Sequence, residues 1–134
     1  MLNHITIMGR LTRDPELRRT GSGVAVTSFA IACDRDIANK ETGERETDFI
    51  DCVAWRATGE FVAKHFRKGS MAVVSGRLQI RGWTDKDGNK RRTAEVVAEN
   101  VYFGDSKKSE ANGAQVQPNH DFAVIEDEDA QLPF

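Results

Sequence analysis

Residues 71–83 read Met-Ala-Val-Val-Ser-Gly-Arg-Leu-Gln-Ile-Arg-Gly-Trp. A β-strand sends successive side chains to opposite faces, and this run divides cleanly. Ala72, Val74, Gly76, Leu78, Ile80 and Gly82 make one face, small and apolar throughout, as the interior of a barrel requires. The other face ends in Ser75, Arg77, Gln79, Arg81 and Trp83. A strand that buries the first face does not use Trp83 for its core, so an outward tryptophan beside two arginines needs another explanation. Residues 49–56 divide in the same way: Ile50, Cys52, Ala54 and Arg56 on one face, Phe49, Asp51, Val53 and Trp55 on the other.

The rest of the body also reads mostly as strands. Residues 4–12 form the first, with Gly9 expected at a bulge or bend. Asp14-Pro15 ends it. Residues 17–20, the Gly21-Ser22-Gly23 turn and residues 24–34 read as a hairpin-like continuation. Residues 35–46 read as a charged loop and 47–57 as a strand. Residues 59–67 are the one good helix candidate. Thr58 is its expected cap, Phe61, Val62 and Phe66 its apolar stripe, and Gly69 stands where a helix stops. Residues 85–89 are a turn cluster, and 92–103 form the last strand. Three strands, a helix and two strands make an all-β chain with the five-stranded oligonucleotide-binding (OB) barrel pattern. Another small α+β fold or an SH3-like barrel fits the same order.

A length of 134 residues suggests one folded domain. Its formal net charge of −2 hides a split. Residues 1–110 hold all 19 basic residues against 16 acids, whereas residues 111–134 hold no base and five acids, Asp121, Glu126, Asp127, Glu128 and Asp129. A basic body with an acidic tail suggests a nucleic-acid partner. The boundary falls near Asp105. Residues 1–105 are read as the barrel, and 106–134 as a disordered linker and acidic tip, because a segment with almost nothing to bury cannot offset its ordering entropy. No apolar run approaches the ~20 residues that span a bilayer, and no signal peptide is read. Cys33 and Cys52 form no CxxC pair, so a disulfide framework is not expected. No membrane role and a cytoplasmic setting follow as expectations.

Base stacking explains the outward aromatics. Single-stranded nucleic acid offers π-faces and phosphates, so a sequence-tolerant binder needs aromatic platforms and a basic track. Phe49, Trp55 and Trp83 are the candidate platforms, with Arg77 and Arg81 as the nearest phosphate or cation–π partners. The competing account makes Phe49 and Trp55 core residues and Trp83 a lone amphipathic surface residue. Catalytic chemistry is not legible. His4, His65 and His120 are scattered and give no zinc spacing with the cysteines. Phosphate-loop, dinucleotide and nucleophile-elbow motifs are absent from the sequence. The acid pairs Asp34/Asp36 and Asp85/Asp87 fall in loops and belong to turn chemistry; a small metal-dependent nuclease is the enzymatic alternative. No enzyme activity, cofactor or metal is expected.

Several motifs carry a resemblance. Gly9-Arg10-Leu11-Thr12-Arg13-Asp14-Pro15-Glu16-Leu17-Arg18, Gly43-Glu44, Thr47-Asp48-Phe49, Arg67-Lys68-Gly69-Ser70, Gly76-Arg77-Leu78 and Trp83-Thr84-Asp85 occur in order. From Asn3 to about Val101 the chain resembles bacterial single-stranded DNA-binding proteins of the replication type. The resemblance implies an OB-fold body, usually a homotetramer, that wraps single-stranded DNA without sequence preference in replication, recombination and repair at the nucleoid, and has no enzymatic activity. By position, Phe49, Trp55 and Trp83 match stacking residues. Arg18, Arg35, Lys68 and Arg81 match or adjoin the basic track, to which Arg10 and Arg77 are added. One departure stands out: residues 34–48 contain no aromatic where such proteins carry a further stacking tryptophan, and Ile37 is the nearest bulky apolar residue.

The tip Glu126-Asp127-Glu128-Asp129-Ala130-Gln131-Leu132-Pro133-Phe134 resembles the family's acidic end, which docks on replication and repair proteins. Its acids steer basic partners electrostatically. Leu132 and Phe134 supply apolar anchorage, and Pro133 limits the conformations to be lost. Ala130-Gln131 interrupts the usual junction of acids and apolar end. An RNA-directed or primosome-type OB protein would share the barrel and is the alternative reading.

Overall fold

A computed structural model describes residues 1–105. The elements run β1 (Ile5–Leu11), β2 (Glu16–Arg19), β3 (Ala25–Ala38), β4 (Arg45–Trp55), α1 (Arg56–His65), β5 (Met71–Thr84) and β6 (Lys90–Phe103). Pairing is antiparallel for β1 with β5, β5 with β6 and β3 with β4, while β6 runs parallel to β4. β1 then meets β3 at Arg10↔Ala32 and Leu11↔Ile31, which closes a five-stranded barrel. The helix lies between the third and fourth barrel strands in chain order, so the expected OB fold is present. The proposed tail (106–134) and tip residues lie outside the described residues.

Strand alternation fills the interior. Phe29 and Ile31 of β3, Cys52 and Ala54 of β4, Ala72 and Val74 of β5, and Val96, Ala98 and Val101 of β6 are buried together with Leu11. Val62 of α1 and Phe66 just after it plug the barrel from the helix side. Each fully buried Val, Ile or Phe stabilises by roughly 1.5–3 kcal/mol relative to exposure. The one buried polar side chain among the described residues, Thr27, is satisfied: its hydroxyl donates to the Gly59 carbonyl at 2.7 Å and ties β3 to the helix.

Four local expectations are corrected. The apolar face of 71–83 is interior only as far as Gly76; Leu78 and Ile80 are 42% and 55% exposed. β1 pairs with β5 no further than Ile5↔Gly76, whereas β5 and β6 continue together to Thr84↔Lys90. The strands therefore outrun the barrel as a two-stranded arm. The charged loop at 35–46 is shorter than read, because β3 and β4 form a second arm that ends in a turn closed by Asn39 and Glu44. The helix starts at Arg56, not Gly59, and Thr58 does not cap it. Arg56 takes a left-handed φ of 56°, so the chain passes from strand to helix with no linking residue. Gly9 makes no bulge; β1 keeps its register with β5 through Gly9↔Ala72. The hairpin read over 17–34 is present: Glu16–Arg19 forms β2, an exposed strand paired antiparallel, outside the barrel, with Ala25–Ser28 of β3.

Candidate nucleic-acid interface

Alternation turns Asp51, Val53 and Trp55 of β4 away from the core, and they line one wall of a groove of about 450 Å³. Gln79 and Arg81 of β5, with Thr93 and Glu95 of β6, form the facing wall. Arg13 and Arg18 reach the same groove from the β1–β2 side. The faces read from sequence on 49–55 and 79–83 thus converge on one concave surface.

The aromatics are not core residues. Phe49 is 71% exposed, and Trp55 and Trp83 are each 44% exposed. Trp83 lines an adjoining depression with Lys90, Arg91 and Arg92. Its indole N–H donates to Thr93 Oγ1 at 2.8 Å, which orients the ring without burying it. Asp85 accepts from Arg91 Nε at 2.9 Å and from the Asp87 and Asn89 backbone N–H groups. The Arg91 guanidinium, then those N–H groups, hold the Asp85 carboxyl below its usual range. This fixes the turn next to Trp83.

The cations differ in how far they are engaged. Arg81 Nε lies 3.6 Å from Glu95 Oε2, and Arg18 lies 3.2 Å from Glu16. Arg77 donates to Gln79 Oε1 at 3.2 Å, and the Gln79 amide donates to Glu95 at 3.2 Å, so these side chains form a chain along the groove wall. Lys68 sits in the corner after α1, where its backbone N–H donates to Asp14; its ammonium has no carboxylate partner among the described residues. Arg35 stands on the β3–β4 arm and is bidentate to Asp48 at 2.9 and 3.0 Å, with Glu46 at 3.4 Å. That hydrogen-bonded pair lowers the Asp48 carboxyl and raises Arg35. Arg10 is on the outer side of β1, donating to the Gly69 carbonyl and to Asp105 at 2.9 and 3.3 Å.

The groove therefore gathers Trp55, Arg18 and Arg81, with Trp83 adjoining. Phe49 and Arg35 belong to the other arm, and Arg10 with Lys68 to the corner after α1. Sequence reasoning missed Arg13, Lys90, Arg91, Arg92 and Thr93. The last four were accessible: a turn over 85–89 places Trp83 opposite Arg91, and Gly82 opposite Arg92. Arg13 carried no local signal, since its position depends on how β1 leads into β2.

Neither cysteine is activated as a nucleophile. Burial pushes the Cys52 thiol up to about 12, reinforced by Asp51 and Cys33. Burial also raises Cys33. Among the described residues no group of three or more His, Cys, Asp or Glu could hold a metal ion, and no helix is long and apolar enough to cross a membrane.

A closed barrel with a groove of aromatic and guanidinium side chains defines an oligonucleotide-binding module. The sequence matches the single-strand binding protein family over residues 2–104. It is 49% identical over 114 residues to single-stranded DNA-binding protein 2 of Listeria monocytogenes, covering 85% of this chain and 71% of that one. It is 48% identical over 113 residues to the single-stranded DNA-binding protein of Halalkalibacterium halodurans, covering 84% and 67%. With single-stranded DNA-binding protein A of Bacillus subtilis it shares 46% identity over 114 residues, covering 85% and 66%. The chain belongs to the single-strand binding protein family, a DNA-binding family.

Proposed function

We propose that the protein binds single-stranded DNA in a sequence-tolerant manner and protects it during replication, recombination and repair at the nucleoid. The observation that carries this reading is the exposure of Trp55 and Trp83 on surfaces lined with arginine, while the core occupies the opposite face of the same strands. Bases stack on Trp55, Trp83 and Phe49, and phosphates exchange into the positions that carboxylates now hold on Arg18 and Arg81. The Arg18–Glu16 pair is exposed on both sides and contributes only about 0–1 kcal/mol, so that exchange costs little. Lys68 and Arg77 extend the track without such an exchange. Arg35 and Arg10 join it only by releasing Asp48 and Asp105.

Assembly as a homotetramer is part of the proposal. β1 is paired with β5 over Ile5–Arg10, but with β3 only at Arg10 and Leu11, and Cys33 of β3 reaches the Met8 carbonyl, so Ile5–Ile7 present an open strand edge. Such an edge is a template for pairing with another chain. Exposed Met8, Leu78 and Ile80 offer apolar surface for the same purpose.

A fluorescence titration with dT oligomers of increasing length, with light scattering on the same samples, tests this reading. Tryptophan emission should be quenched on binding, the mass should be that of a tetramer, and affinity should fall with salt at a log–log slope of roughly −0.7 per phosphate contacted. Unchanged emission at saturation would count against stacking, and stronger competition by poly-U than by poly-dT would favour an RNA partner.

The tip Glu126-Asp127-Glu128-Asp129 with Leu132, Pro133 and Phe134 is proposed to recruit replication and repair proteins, supported by its acid-then-apolar order. A chain ending at residue 125 should keep the quench and lose binding to purified replication and repair proteins. Equal binding by the shortened chain defeats the tip assignment.

A further inference from the structure

Asp51 is an anomaly in a surface that must attract phosphate. It lies on the outward face of β4 between Phe49 and Trp55, and lines the groove with Arg13, Arg18 and Arg81. Neither an ion pair nor a side-chain hydrogen bond engages it among the described residues, although three guanidinium groups line the same groove. The other acids nearby are occupied. Glu95 accepts from Gln79 and pairs with Arg81, and Glu16 pairs with Arg18. Across the strand pair Asp51 faces Ala30, whose methyl group offers no polar contact. Along the strand it stands two residues from Phe49, or about 7 Å at the usual rise. A base stacked on Phe49 therefore brings its polar edge within reach of an unoccupied carboxylate.

We propose that Asp51 is a specificity-determining residue that biases the interface toward bases with exocyclic amino groups. The inference rests on the single-stranded DNA reading. A carboxylate only accepts hydrogen bonds. Cytosine N4 donates two, whereas uracil and thymine place the O4 acceptor at that position, where it is repelled. Adenine N6 and guanine N2 donate likewise. The carboxylate weakens phosphate attraction for every sequence and returns most to amino-bearing bases, because the N3–H donor of uracil and thymine is flanked by two carbonyl acceptors that repel it. The result is a graded bias within a sequence-tolerant mode, not a code.

The test compares dC and dU oligomers of equal length, which differ only at the 4-position and at N3. Tryptophan quenching at one fixed salt concentration gives both affinities for the wild-type chain, Asp51→Asn and Asp51→Ala, each first checked for an unchanged thermal melt. The dC-to-dU affinity ratio should be about fivefold higher in the wild type than in either variant, the size of one ordinary net hydrogen bond. Binding of dU should strengthen in both variants. A ratio that is the same in all three proteins, with both oligomers bound, overturns the role of Asp51 and leaves the DNA-binding reading standing. A wild-type chain that binds neither oligomer overturns that reading itself, and the inference with it.

Discussion

Replacing Trp55 and Trp83 together with alanine is expected to lower affinity for a dT oligomer by roughly thirtyfold or more. Each stacked base is worth about 1–3 kcal/mol by alanine substitution, and 1.4 kcal/mol is tenfold in affinity. The two indoles belong to different strands and share no hydrogen-bond partner, so their losses should nearly add. The double variant has no tryptophan left, so anisotropy of a labelled oligomer is the readout. Both rings are 44% exposed, so the barrel should stay folded without them. Wild-type affinity in the double variant would remove stacking from the mechanism. Phe49 would remain as the last platform, since the β3–β4 arm carries only Ile37, 79% exposed, where an aromatic would otherwise add a fourth.

The largest effect on stability is expected at two glycines. A Cβ on Gly76 would run into the Val97 carbonyl oxygen, beside the register shift where β6 has one residue too many. A Cβ on Gly9 would meet the Ala32 carbonyl oxygen and lie 2.6 Å from Ile31 Cγ2, where β1 and β3 close the barrel. These obstacles are largely backbone atoms that cannot rotate away. Gly9→Val and Gly76→Val should each cost about 3 kcal/mol or more, the upper range for overpacking. In a domain near 100 residues that lowers Tm by about 12 °C or more. Gly82 is the internal control: a Cβ there meets only the Arg91 carbonyl oxygen at 3.9 Å, so Gly82→Ala should melt within a few degrees of the wild type. Thermal melts followed by circular dichroism decide. If all three variants melt alike, the crowding at Gly9 and Gly76 is not what holds these strands together.

Strand faces were legible because alternation is a local property. The inward sets on 49–55 and 71–76 could be read from residue order alone. What failed depends on which strand lies alongside. Leu78 and Ile80 continue the apolar pattern of β5, yet β1 ends before it can cover them, and no local signal marks that end. The helix start failed for a different reason. Thr58 has the right chemistry for a cap, but the left-handed Arg56 has already turned the chain two residues earlier. The cations were recognisable as a set, though not their partners. Asp105 holds Arg10 from 95 residues away, and Asp48 engages Arg35 across an arm first read as a loop. Where each charge is already satisfied is a tertiary property, and it separates Lys68 and Arg77 from Arg35 and Arg10.

The direct passage from β4 into α1 gives the two indoles unequal stiffness. Trp55 ends a barrel strand and begins at once into a packed helix, so its mount behaves as a fixed anvil that surrenders little freedom when a ring settles on it. Trp83 rides near the end of a two-stranded boom, braced by a single hydrogen bond to Thr93. Under the proposed binding mode, a polymer laid across both would meet one rigid reference point and one compliant one. The first would set the register, and the second would absorb the unevenness of purines and pyrimidines in mixed sequence.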